Sequence, residues 1–586
     1  MSSPSLINGV DGQLTDWSQI NWRKARKIVK NLRGRIFRAR SLGKWKQLRR
    51  LQKLLLRSRA NLLLSVRQIT QVNLGKRTAG VDKEVINTPD ERVKLVNSWE
   101  MPKANPTRRV YLPKPNGKKR PLGIPTVRDR VAQAIIKNIL EPEWEAVFEP
   151  NSYGFRCGRS CHDAIGQCFN KLSSCKAGGH LWVLDADIKG FFDNIAHESI
   201  LKAIESVPYG DLIEGWLKAG YLDKGVLNPS DMGTPQGGVI SPLLANIGLH
   251  GLEDFIKSVN SKLGVIRYAD DFVVTSKDKE SLEHILNQIK QWMFERGLEI
   301  SAEKTRIVSM EEGFDFLGFN LRHYGGKLLI KPQKKKVLAF CKKIGETLSK
   351  MKACTQEEVI KVLNPLLRGF ANYYRGVVSK ETFSYIENRV WHYLWKWCCR
   401  RHSNKSKNWV ANKYFGSYKG NRWTFMCKGT GRGGKDKLFV LYEISSTPIV
   451  RHIKVKGKSS PDDPSLRDYW QKRNLKIGKQ RWAKGSKYEQ VANTQEHKCP
   501  VCGESLYNGE EIETHHIVPV KYGGSDDAEN LIHLHKACHK QVHSSKSKTK
   551  AGSKSLSRMM GNCHVRFLGE GREATLEPYP IVRRIY

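Results

Sequence analysis

Apolar positions recur with different periods along the chain. In "WKQLRRLQKLLLRSRANLLLSV", leucines at 48, 51, 55 and 62 fall at roughly helical spacing, which predicts a basic amphipathic helix. From about 100 to 335, short apolar runs mix with helical patterns and Gly/Pro turns, a mixed α/β region. There, Leu181 to Leu184 form an apolar strand that runs into Asp185, Ala186 and Asp187. Val265, Ile266 and Phe272 to Val274 favour strands on either side of Asp270 and Asp271, predicting a tight hairpin whose turn projects the acids. Ser241-Pro242 suits the start of an apolar helix after a glycine-rich bend, "GTPQGG". Residues 336–425 read as mostly helical, with Trp391 and Trp395 one turn apart as core packing.

Length and charge narrow the class. A chain of 586 residues exceeds one core and predicts several domains. Lys and Arg number 101 against 57 Asp and Glu, a net charge of +44, so a polyanionic partner is expected. Residues 20 to 60 alone hold sixteen Lys/Arg and no acid. Nucleic acid is favoured over an anionic membrane, because no apolar run approaches the roughly 18 residues of a membrane span. The start, "MSSPSLINGVDGQLTDWSQ", reads as neither signal nor transit peptide. Thirteen scattered cysteines fit a reducing cytoplasm in which paired Cys serve metal.

Taken alone, Asp270-Asp271 reads first as a polar hairpin tip. If its strands neighbour the one ending at Asp187, three carboxylates converge, the hard oxygen donors that magnesium takes. "RVYLPKPNGKKRPLGIPTVRDR" interleaves basic and turn residues that could clasp a triphosphate. At the far end, "CPVC" and "HKAC" offer Cys499, Cys502, His535 and Cys538 as a closed tetrahedral zinc site. Between and after them lie "ETHHIVPVKYGGSDDAENLIHLH" and "CHKQVH".

Seven segments in order, "YLPKPNGKKRPLGIPTVRDR", "SYGFRCGRSCHDA", "DADIKGFFDNI", "TPQGGVISPLLANI", "RYADDF", "GLEISAEKTRI" and "FDFLGF", resemble the reverse transcriptases encoded by group II introns. The resemblance implies that Asp187, Asp270 and Asp271 are the catalytic, magnesium-binding carboxylates of a polymerase palm, holding two ions. It implies that Lys114 and Arg120 hold the incoming deoxynucleoside triphosphate, that Phe192 excludes a 2′-hydroxyl, and that Gln236 and Lys304 line the nucleotide site. Asp185 and Asp193 read as structural, and Cys157 stands where many relatives have proline. "LNPLLRGFANYYRG" resembles the maturase segment, whose Arg368, Tyr373, Tyr374 and Arg375 combine cationic and stacking groups suited to RNA, while its aromatics also suit a helical core.

The carboxy-terminal cluster resembles an HNH endonuclease. That implies His516 as general base, His515 and His539 as ligands of the nuclease's divalent ion, His543 as a weaker ligand candidate, and Asn530 as the residue orienting the base. His535 stands where relatives commonly have cysteine. A zinc ribbon without nuclease activity is the alternative.

The implied fold is multidomain α+β: a right-hand polymerase, an α-helical thumb, and a ββα-metal nuclease with structural zinc. The expected boundaries are 1–99 (basic extension and start of the fingers), 100–335 (fingers and palm), 336–425 (thumb and maturase region), 426–490 (basic DNA-binding region), 491–545 (nuclease) and 546–586 (basic tail). The expected partners are intron RNA and target DNA, with no membrane, in a bacterial, nucleoid-associated setting that admits a homodimer. The implied work is splicing assistance, nicking of target DNA and copying of intron RNA from the nicked end. A splicing maturase with an inactive polymerase is the alternative, which the intact acids and glycine bend argue against. A retron-like enzyme is disfavoured by the maturase and nuclease segments.

Overall fold

The computed structural model describes residues 13–113, 117, 119–173, 179–430, 436–482 and 484–545; Lys114 and the tail 546–586 lie outside the described residues. The leucine-rich basic stretch forms two helices, Trp45–Leu56 and Arg59–Arg67, not one. Ser58 leaves helical angles between them, and the Asn61 amide donates to the carbonyls of Leu55 (3.2 Å) and Ile135 (3.3 Å). With helix Trp22–Ser41 they bury Val29, Leu32, Ile36, Leu48, Leu51 and Leu55 against helix Val127–Glu145. The other face of Trp22–Ser41 holds Arg23, Lys24, Lys27, Lys30, Arg35 and Arg38 in solvent, the expected sidedness of an amphipathic helix.

The strands of the polymerase region are β1 (Thr107–Pro113), β2 (Lys119–Ile124), β3 (Trp182–Asp187), β4 (Tyr221–Asp223), β5 (Val226–Asn228), β6 (Gly264–Tyr268), β7 (Asp271–Ser276) and β8 (Arg306–Ser309). One sheet runs β2-β1-β4-β5 and carries the basic hairpin. The other runs β6-β7-β3-β8, with all neighbours antiparallel. Its residues alternate between two cores. Val183, Ile266, Val273 and Val308 face the thumb side, and Leu184, Ala186, Val265, Phe272 and Val274 face the other. With both faces covered, the strands need nearly unbroken apolar runs, and acids are tolerated only toward the strand ends.

A small sheet, β9 (Phe314–Phe316), β10 (Phe319–Tyr324) and β11 (Lys327–Pro332), leads into the thumb helices Lys334–Lys350, Gln356–Tyr374, Lys380–Arg401 and Lys407–Tyr414. Then β12 (Phe415–Tyr418), β13 (Asn421–Thr430) and β14 (Asp436–Val440) form a sheet that straddles the expected boundary at 425/426. Phe425 and Phe439 both sit in the thumb core, so this unit continues through Val440.

The basic segment that follows is fastened back by buried acids. Asp163, fully buried, accepts from His452 Nε2 (2.9 Å), the Val455 amide (2.8 Å) and Arg473 (3.3 Å). Asp462 pairs with Arg33 at 2.6 Å. The last described unit is an antiparallel pair, β15 (Ile512–His516) and β16 (Leu531–His535), followed by helix Lys536–Ser545, a ββα arrangement. Among the described residues, no helix is long and apolar enough to cross a membrane.

Candidate active sites and metal centre

The β3–β7 register pairs Asp187 with Asp271, so their side chains leave one face of the sheet at the strand ends. Asp270 sits in the two-residue turn joining β6 to β7, next to Ala269, whose φ of 58° is left-handed. Glycine would adopt that angle more readily, but Ala269 is clamped: Gly154 packs on its backbone so closely that a Cβ at 154 would clash with the Ala269 amide. Asn246 secures this clamp, donating to the Gly154 carbonyl (2.9 Å) and accepting from the buried Arg267 (3.0 Å).

Crowding of the acids shows in their protonation. Burial, then the neighbouring Asp270 and a hydrogen bond with Asp187, push Asp271 up to about 8. Burial and the charge of Asp187 also raise Asp270. Asp185, raised by burial to about 6, is held by Arg306 at 3.4 Å instead. The Lys304 ammonium bonds Asp187 Oδ2 at 2.6 Å, a partial relief of this repulsion. The three carboxylates are therefore a fitting donor set for divalent cations, whose charge would offset the rest.

Beside the acids lies a polar chain. Arg120 Nε donates to Gln236 Oε1 (2.8 Å), and Gln236 Nε2 donates to both oxygens of Asp193 (3.1 and 3.0 Å). The Gln236 amide is thereby fixed in orientation and holds the exposed Arg120 guanidinium in place. The glycine bend is needed for close approach: a Cβ on Gly237, φ 121°, would come within 2.7 Å of the Gly123 carbonyl oxygen. The half-buried Phe192 ring rests edge-on against Phe155 (5.9 Å) and Phe191 (5.2 Å).

The four residues expected to meet RNA do not form one surface. Tyr374 is buried, with its hydroxyl on the Gly318 carbonyl (3.1 Å). Tyr373 stacks on Phe319 (5.4 Å) and donates to the Leu317 carbonyl (3.1 Å). Tyr374 lies on the helix face that carries Leu363 and Leu367 into the core, and the half-buried Tyr373 packs at its edge, so both rings are engaged within the protein rather than presented as a stacking surface. Arg375 is turned inward to the Gln480 carbonyl (3.1 Å). Arg368 remains exposed, with its guanidinium over the Tyr442 ring at 4.7 Å.

In the ββα unit, adjacent histidines of β15 point to opposite sides, as strand geometry requires. The buried His515 meets helix Lys536–Ser545, where its Nδ1 lies 3.1 Å from His539 Nε2, and His543 Nε2 lies 3.0 Å from that same atom. Ligand atoms of all three lie within 4.8 Å of one another. Glu513 accepts from His539 Nδ1 (2.6 Å), leaving Nε2 free to ligate. His516 faces the other way, and its Nε2 meets Asp526 Oδ1 at 2.9 Å, leaving Nδ1 as the basic nitrogen. Although burial opposes it, hydrogen bonds from His516 and Lys437 hold Asp526 at about 2. Asn530, expected to orient His516, makes no hydrogen bond to that ring among the described residues. Its amide braces the following loop instead, accepting from the Val518 amide (2.7 Å) and donating to the carbonyls of Val518 (3.1 Å) and Ser525 (2.7 Å).

Cys499, Cys502, His535 and Cys538 also bring ligand atoms within 4.8 Å of one another. His535 Nε2 donates to the Ser505 carbonyl (3.0 Å), so Nδ1, 3.3 Å from Cys502 Sγ, faces the cluster as a ligand. The Cys502 and Cys538 thiols hold Cys499 at about 3, favouring the thiolate that zinc requires. Three sulfurs and one imidazole fit tetrahedral zinc.

Asp526, Glu513, Asp193 and Gly154 were not singled out as functional from the sequence. Glu513 lies two residues before His515, on the same strand face, and Asp526-Asp527 repeats the acidic-pair pattern; both were available signals. Asp193 and Gly154 carried none, since their roles depend on distant partners.

Residues 17–99 match the N-terminal domain of reverse transcriptase, and 112–321 match reverse transcriptase (RNA-dependent DNA polymerase). Residues 337–415 match the group II intron maturase-specific domain, and 499–545 match HNH endonuclease. Protein YkfC of Escherichia coli (strain K12) is 32% identical over 319 residues, covering 46% of this chain and 83% of that one. The group II intron-encoded protein LtrA of Lactococcus lactis subsp. cremoris is 31% identical over 393 residues, 50% of this chain and 64% of LtrA. An uncharacterized 91 kDa protein in the cob intron of Schizosaccharomyces pombe is 27% identical over 400 residues, 53% of this chain and 49% of that one. With a polymerase fold that sets paired acids at its strand ends, a maturase thumb and a histidine-rich ββα unit in one chain, the protein belongs to the group II intron reverse transcriptase/maturases that carry an HNH endonuclease domain.

Proposed function

We propose that this protein binds its intron RNA, assists splicing, nicks one strand of target DNA and copies the intron RNA from the nicked end. The observation that carries the copying step is the opposition of Asp187 and Asp271, with Asp270 in the adjoining turn and Arg120 held by Gln236 beside them. Magnesium bound by the three acids would supply the positive charge that activates the primer hydroxyl and stabilises the leaving pyrophosphate. Arg120 meets the triphosphate, and Phe192, braced by two rings, closes the space a 2′-hydroxyl would need. Lys304 moves from Asp187 to the nucleotide when cations take its place. Lys114 belongs to the same nucleotide site by motif.

For the nuclease, a divalent ion held by His515, His539 and His543 would polarise the scissile phosphate. His516 Nδ1 takes the proton from the attacking water, while Asp526 holds Nε2 and stabilises the ring once charged. Zinc on the four Cys/His ligands supplies a structural staple. The cationic face of Trp22–Ser41 and the exposed Arg368 suit phosphate contacts on intron RNA, and the basic segment after Val440 suits target DNA.

The test is a primer-extension assay with RNA template and deoxynucleotides, run beside splicing of the cognate intron with and without protein. Extension and splicing stimulation together support the reading. Splicing stimulation without extension would leave a maturase with a silent polymerase.

A further inference from the structure

The Cys/His cluster lies at an interface: it faces the amino-terminal helices of the polymerase. Contacts ring it on both sides. Arg26 Nη1 pairs with Glu510 (2.7 Å) and Arg23 with Glu504 (3.7 Å), both acids lying in the loop after the first cysteine pair. From the following helix, Lys540 donates to the Gln71 carbonyl (2.7 Å) and Gln541 to the Ser18 carbonyl (3.3 Å). At the centre sits Arg67, 3% exposed, with its guanidinium on the Trp22 ring at 4.2 Å and its charge against Cys538. Arg26 lies within electrostatic reach of Cys502 and Cys538. In both arginines, Nε and Nη2 are buried with no hydrogen-bond partner among the described residues.

Buried guanidinium donors need acceptors. Two arginines here meet one close carboxylate, Glu510. Zinc with three thiolates and a neutral imidazole carries one net negative charge, which balances the second arginine. Metal-bound thiolate sulfurs are also far better acceptors than thiols.

We propose that the zinc–thiolate centre is the plate by which the nuclease docks on the polymerase, with Arg26 and Arg67 donating N–H···S bonds to Cys502 and Cys538. Metal occupancy then decides whether nuclease and polymerase move as one body. The inference rests on the zinc reading of the four ligands and adds a partner surface to it.

The experiment uses the full-length protein. Zinc content is measured first, then hydrogen–deuterium exchange of helices Trp22–Ser41 and Arg59–Arg67 before and after zinc chelation, then zinc transfer to a chromogenic chelator for Arg26→Gln, Arg67→Lys and the exposed control Arg38→Gln. Stoichiometric zinc, faster exchange in both helices on chelation, and roughly tenfold weaker zinc retention in the Arg26 and Arg67 variants, with the control unchanged, are expected. Zinc that binds and leaves without altering exchange in those helices overturns the docking role and leaves the zinc site standing. A protein that binds no zinc overturns both. The chelation experiment needs no variant, so a misfolded Arg67→Lys does not decide the matter.

Discussion

Asp187 and Asp271 are register partners across β3 and β7, and the charge of Asp187 opposes ionisation of Asp271. Such a pair withstands full ionisation only with a cation between its members. Asp271→Asn should therefore cut primer extension by about a thousandfold or more, the scale of losing a key charge-stabilising group. RNA affinity, carried by phosphate contacts elsewhere, should stay within about twofold in a filter-binding titration. Retained synthesis would remove this pair from the chemistry.

Gly154 reaches the active site through packing alone. A methyl group there meets the Ala269 amide, so Gly154→Ala should displace the turn holding Asp270. Overpacking of this kind costs about 1–3 kcal/mol. The variant should fold with a lowered Tm and lose most of its extension rate while retaining RNA binding. Wild-type rates would show that the turn tolerates the shift.

The two enzymatic sites should separate cleanly. His516→Ala should abolish nicking of target DNA, and Asp526→Asn should reduce it roughly tenfold or more, in keeping with loss of a group that holds a catalytic base. Neither should alter extension of a supplied primer. Nicking by His516→Ala would place the base elsewhere, and unaltered nicking by Asp526→Asn would make that carboxylate a tether to Lys437 alone.

Acid should weaken the palm at a named point. Burial alone would raise Glu149, but the His250 imidazole 3.2 Å away and the charge of Arg267 lower it to about 2, and the Gly251 amide donates to it at 2.6 Å. Its folded value lies below the unfolded one of about 4.3, so its contribution is complete above that pH and is lost as pH falls toward 2. Tm should hold between about pH 7 and 5 and drop below about 4. Glu149→Gln should lower neutral stability by about 3 kcal/mol and flatten the acid limb, because the buried Arg267 loses the carboxylate charge acting on it. An unchanged acid limb would dismiss Glu149 as its source.

What could be read beforehand depended on whether neighbours in sequence are neighbours in space. The palm acids were readable because strand ends and a two-residue turn are local patterns, and ordered motifs placed the two strands together. His515, His516 and His539 were readable through the resemblance of their motif to HNH endonucleases, and helical spacing added His543 alone. The tyrosines of the thumb were ambiguous: an aromatic at helical period suits core and RNA equally, and only the position of Phe319 decides between them. The break at Ser58 was hidden because leucine spacing continues across it. Asp526 escaped because its partner is set by the fold of a ten-residue loop, and Asn530 was assigned by motif to a contact that the loop's own amides claim.

The burial of Asp163 reaches into how the polypeptide is made. Its partners His452, Val455 and Arg473 follow it by 289, 292 and 310 residues. On a ribosome, the fingers and palm therefore emerge long before these three partners, and until then Asp163 is bonded by the neighbouring Ser160. Genetic trimming that keeps the polymerase motifs but stops short of residue 452 would remove these three partners and leave Asp163 with its Ser160 bonds alone.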